Sequence, residues 1–102
     1  MNKSFKLISN FFKKFYKNEF EISINKINLK KCQGYCALKN NKFFIKISKH
    51  LSEEHSIDVL LHELAHVITW NKEIKKHGKI WSIAYGKIYQ IYLKEFHNDL
   101  DN

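Results

Sequence analysis

The sequence predicts an α+β domain in which helices pack on one face of a small antiparallel sheet. Three observations lead there. Apolar residues recur every three or four positions over residues 3–17 and again over 79–96, the period of an amphipathic helix. Across residues 19–48 the period falls to two, that of half-buried strands. The order is helix, strands, helix, helix, so helices are segregated from strands rather than alternating with them. A chain of 102 residues makes one such domain, over residues 1–102, with one modest core.

The first helix is expected over roughly residues 3–17. Phe5, Ile8, Phe11, Phe12, Phe15 and Tyr16 form its apolar stripe, read as core, and Lys3, Lys6, Lys13, Lys14 and Lys17 fill most of the other side. Phe20, Ile22 and Ile24 alternate with Glu21 and Ser23 as a strand that Ile27 and Leu29 can continue. A second strand is expected at Tyr35–Leu38, after Gly34. Lys39, Asn40 and Asn41 read as a tight turn into a third strand carrying Phe43, Ile45 and Ile47. Ser52 or Ser56 can cap the next helix, with Glu53, Glu54 and Asp58 near its positive end, and this helix runs to about Trp70. Residues 71–78 are a polar connection ending in Gly78. The last helix, over 79–96, carries Trp81, Ala84, Tyr85, Ile88 and Tyr92 on one stripe, and a polar tail follows.

Composition narrows the function classes. At 44% hydrophobic and 15% aromatic residues the chain is too apolar for a disordered tail. Its apolar segments are broken by Lys or His well before about 20 residues, so no transmembrane helix is expected. The N-terminus has lysines throughout and no small-residue cleavage site, and two cysteines are too few for a secreted disulfide scaffold. A monomer in a reducing cytoplasm is expected, with no membrane partner. Cys32 and Cys36 read as reduced thiols, with Cys36 packed inside, because two cysteines cannot complete a tetrahedral site. The net charge of +8 is uneven. Residues 1–49 hold twelve Lys against Glu19 and Glu21, whereas residues 50–102 hold six Lys and eight acids. The basic half can lie on DNA or simply keep the surface solvated.

The chemistry is concentrated in VLLHELAHVITW, residues 59–70. On a helix, His62 and His66 project to the same side, with Asp58 one turn earlier. Ile57, Leu61, Leu64 and Ile68 form a separate stripe for the core. Glu63 lies about 100° around from His62, where it can reach a water without being a ligand. This is the His-Glu-x-x-His arrangement. Two imidazoles one turn apart share a zinc ion without bending the helix, a third ligand leaves one position for water, and the glutamate takes that water's proton. Chance predicts roughly 0.02 such matches in a chain with six His and seven Glu, so a metal site is the reading to follow.

The third ligand is not the histidine of an H-x-x-G-x-x-H extension, because Thr69 and Lys72 stand at those positions. His77, where the connection meets the last helix, is favoured. Glu73 and Glu95 are competitors, and His50, His55 and His97 read as surface residues. Asp58 can orient His62 or remain solvated. Tyr35, Tyr85 and His55 are open candidates for assisting an oxyanion.

HELAH followed by His77, Gly78 and Trp81 resembles the SprT-like zinc metallopeptidases, which include Spartan-type DNA–protein crosslink proteases. The stretch from GYCALKNNKFFIKISKHLSEE into the zinc helix is similar to theirs, and the resemblance spans roughly residues 32–86. It implies a zincin-like fold, Zn²⁺ held by His62, His66 and His77, Glu63 as general base, and hydrolysis of peptide bonds in protein or peptide substrates, some of them bound to DNA. The gap from His66 to His77 is short compared with many relatives, and residues 1–102 contain no zinc ribbon, so a nearly minimal catalytic core is expected. Such minimal versions occur in phage and bacterial genomes, which implies a bacterial or host cytoplasm. The alternative is a nucleic-acid- or protein-binding module that keeps the fold without turnover, which would have no need of Glu63.

Overall fold

The structure, a computed structural model, describes residues 4–72 and 77–96. The chain runs α1 (Phe5–Phe15), β1 (Ile22–Ile27), β2 (Gly34–Lys39), β3 (Lys42–Ser48), α2 (Glu53–Ile68) and α3 (Lys79–Phe96).

Ser4 caps α1, its hydroxyl accepting from the Leu7 N–H at 3.1 Å. Phe5, Ile8, Phe12 and Tyr16 are buried, as the stripe predicts, and Phe11 packs half-buried beside them. Phe15 is the exception, 50% exposed. It sits at the rim of the stripe, stacked on Phe11 and edge-on to Tyr16, where aromatic neighbours cover only part of it. Lys3, assigned to this helix from its sequence, lies outside the described residues.

The sheet corrects one expectation: it is mixed, not antiparallel. Its order is β1-β3-β2, with β1 parallel to β3 and β2 antiparallel to β3. The alternation of Phe20, Ile22 and Ile24 fixes which face of β1 is apolar but says nothing about its neighbour. β3 is the most apolar strand, with Phe43, Ile45 and Ile47 buried, and it takes the protected centre. Residues 28–33 therefore carry the chain past that slot to the far edge before the β2–β3 hairpin folds back. The crossing is tied down by Lys49 N–H to Ile27 C=O at 2.9 Å, Ser48 N–H to Gln33 C=O at 2.8 Å, and the Ser48 hydroxyl to Leu29 C=O at 2.9 Å. Leu29 consequently falls outside the strand.

The hairpin turn is made by Asn40 and Asn41 at φ 51° and 64°. Two consecutive left-handed residues give the mirror-type turn whose twist matches the strands, and asparagine tolerates that backbone better than most side chains.

α2 is the centre of the molecule, packed against β2, β3, α1 and α3. Ser52 is its cap, accepting from the His55 N–H at 3.1 Å, while Ser56 lies inside the helix and donates to Glu53 C=O. Covered on several sides, α2 buries Ile57, Leu61 and Leu64 as predicted, and Val59, Leu60, Ala65 and Val67 as well. α3 closes over it with Ala84, Ile88, Tyr92 and Phe96, and Phe96 meets Phe11 of α1 edge-to-face at 5.4 Å. Among the described residues no helix is long and apolar enough to cross a membrane.

Candidate metal centre

His62 and His66 leave α2 on one side, one turn apart. His77 reaches them from the far end of the connection, just before α3. Its backbone is left-handed, at φ 60°, which few residues other than glycine adopt without cost. The three rings converge through one kind of atom. Nε2 of His66 lies 3.3 Å from Nε2 of His62 and 3.0 Å from Nε2 of His77, and the remaining pair is 3.1 Å apart.

Hydrogen bonding cannot explain that triangle. Each Nε2 offers either one hydrogen or one lone pair, so three of them facing one another can share only one hydrogen bond. Three lone pairs turned inward around a cation satisfy every ring at once, each keeping its proton on Nδ1. Nitrogens bound at about 2.0–2.1 Å with tetrahedral angles lie about 3.3–3.4 Å apart, close to the observed spacing. The triad is the one group of His, Cys, Asp and Glu ligand atoms among the described residues that could hold a metal ion. The residues therefore fit a metal.

Trp81, in the first turn of α3, is the wall behind the triad. Its ring centroid lies 4.9, 5.6 and 4.8 Å from those of His62, His66 and His77. The indole Nε1 is buried with no hydrogen-bond partner, which marks Trp81 as held there for its ring. Tyr85 stacks on it at 5.1 Å and 10°.

Glu63 is 7% exposed and lies between two clefts that share Gly34, His62 and Glu63. The first, of about 420 Å³, adds Asp58, His55 and Tyr85; the second, of about 360 Å³, adds Tyr35, Cys36, Trp70 and the other two histidines. Burial pushes the Tyr85 hydroxyl pKa up, and the negative charge of Asp58 and then Tyr89 add to the rise. The phenol stays a proton donor.

The other sequence candidates are placed as follows. Glu95 is exposed near the end of α3 and lines neither cleft. His50 is exposed and bonded to Asn28. His55 is exposed too, yet belongs to the first cleft. Glu73 and His97 lie outside the described residues. Cys32 is exposed and Cys36 half-buried in the second cleft. Sequence reasoning missed Gly34 as a site residue. A Cβ there would stand 2.8 Å from Val59 Cγ1 and 3.0 Å from the Lys46 carbonyl, so the lack of a side chain lets β2 lie against α2 beside the triad. A glycine opening a strand was the available signal.

No curated relative matches the chain. Among solved structures it is similar to that described as the metallopeptidase zymogen of Pyrococcus abyssi abylysin. The TM-score is 0.56 at 15% identity, over 90% of this chain and 94% of that one. That likeness is one of fold, and the fold is metallopeptidase-like. The SprT-like family matches residues 1–100, taking in α1, the whole sheet and the three histidines. A match over nearly the entire chain settles its kinship: the protein belongs to the SprT-like family.

Proposed function

We propose that the chain is a zinc-dependent peptidase acting on protein or peptide substrates. The observation that carries this reading is the convergence of three Nε2 atoms at 3.0–3.3 Å beside a buried glutamate. His62, His66 and His77 would hold the zinc. Bound there, zinc supplies Lewis acidity, lowering the pKa of a water and polarising the scissile carbonyl.

The chain's own residues do the rest. Glu63 takes the proton of the attacking water and passes it to the leaving amine. Trp81 keeps the three imidazoles from turning away. β2 is an edge strand among the described residues, and its outer edge beside the clefts offers backbone groups to an extended peptide. The lysine-rich first half supports substrates associated with DNA, whose backbone such a surface attracts.

The test pairs elemental analysis with hydrolysis of casein and histone. About one zinc per chain is expected in the wild type and in Glu63→Gln, with hydrolysis lost by about 10²–10⁴-fold in the variant. Full activity in a zinc-loaded Glu63→Gln protein would overturn the mechanism.

A further inference from the structure

The two clefts beside the triad differ in charge. The second is walled by Tyr35, Cys36 and Trp70, and its one carboxylate is Glu63. The first has a second carboxylate, Asp58, one helical turn before His62. Glu21 and Glu53 are paired with Lys42 and Lys26, but Asp58 takes part in no ion pair among the described residues, in a chain with eighteen lysines. It is exposed to the cleft, and its charge is felt at the Tyr85 hydroxyl across it. Tyr85 is itself fixed by its stack on Trp81, so the cleft has a rigid aromatic wall and an anionic end. A volume of about 420 Å³ accommodates a long side chain.

We propose that this cleft is a subsite for a cationic side chain, lysine or arginine, of the bound peptide. The alkyl stem lies along Tyr85 and Val59 while the charged end meets Asp58. This rests on the peptidase reading and adds a preference to it: substrates with a basic residue near the cut are selected over neutral or acidic ones. Asp58 is a specificity residue here and takes no part in bond breaking.

The experiment measures binding rather than turnover. Zinc-loaded Glu63→Gln protein is titrated with fluorescent alanine-based peptides that carry one lysine, walked along the sequence, or norleucine or glutamate at the same places. At one position lysine is expected to bind on the order of fivefold more tightly than norleucine, with glutamate weakest. Asp58→Asn should abolish the difference and Asp58→Lys should favour glutamate, with circular dichroism unchanged. The lysine advantage should shrink as salt rises. Equal binding of lysine and norleucine peptides at every position, or a preference that survives Asp58→Asn, overturns the subsite. Casein hydrolysis by the wild type tests the peptidase reading separately, so either idea can fail without the other.

Discussion

Nε2 of His66 and Nε2 of His77 stand 3.0 Å apart although the residues are eleven positions apart in the chain and belong to different segments. Two basic nitrogens this close repel unless a proton or a cation lies between them. His77→Ala is therefore expected to lower zinc affinity by more than about 100-fold, since losing even an outer-shell partner costs 10–100-fold. Zinc content after dialysis against a weak chelator measures this. The wild type's melting temperature should rise with free zinc and that of the variant should not.

Gly34→Ala should strain the contact between β2 and α2. The new methyl meets Val59 Cγ1 at 2.8 Å and the Lys46 carbonyl at 3.0 Å, and the carbonyl belongs to the central strand, which cannot easily yield. A loss of about 1–3 kcal/mol is expected in urea denaturation. Because Gly34 lines both clefts, peptide binding should weaken as well.

Glu53 joins three elements. One carboxylate oxygen accepts the Phe5 N–H at 2.7 Å and the other meets Lys26 Nζ at 3.1 Å, while that ammonium also lies over the Phe5 ring. The Phe5 hydrogen bond first, and then Lys26, hold its pKa below the ordinary value. A depressed folded-state pKa gives stability that is present above the unfolded value and is lost as pH falls through the folded one. With the side chain 53% exposed, solvent screening limits the effect to about 1 kcal/mol or less. Wild type should thus exceed Glu53→Gln in urea midpoint at neutral pH, and the two should converge in acid.

The basic half predicts salt-dependent DNA binding. Gel shifts at low salt should show a complex that weakens steeply as salt rises and is lost when Lys13, Lys14 and Lys17 become Glu. Lys13 and Lys14 lie in the last turn of α1, and Lys14 and Lys17 are exposed. No complex at low salt would remove DNA from the picture.

Most of the elements were legible because their periodicities are strong. The stripe of α1, the Asn40–Asn41 turn and the His62–His66 spacing are local, and local sequence carries them. The sequence favoured His77 for its place before the last helix but left Glu73 and Glu95 as competitors; only the fold brings its ring to the other two. The parallel pairing of β1 with β3 was not legible, because it depends on which strand claims the sheet centre, a competition among Phe43, Ile45 and Ile47 and the strands around them. Nor was the near-complete burial of α2, where Val59, Leu60 and Val67 lie off the predicted stripe and are covered because the helix is packed against β2, β3, α1 and α3 at once. Trp81's part behind the triad needed the third dimension too.

His77 sits on the link rather than on either helix, so metal binding at the triad would bear on stability as well as on chemistry. A cation held by His62 and His66 of α2 and by His77 of the link would staple α3 in place, as a disulfide does between two segments. The loaded and empty populations then differ in how readily the C-terminal helix lifts away. On the peptidase reading, scarcity of the ion should then show twice, as lost hydrolysis and as faster clearance of the loosened chains by cellular proteases.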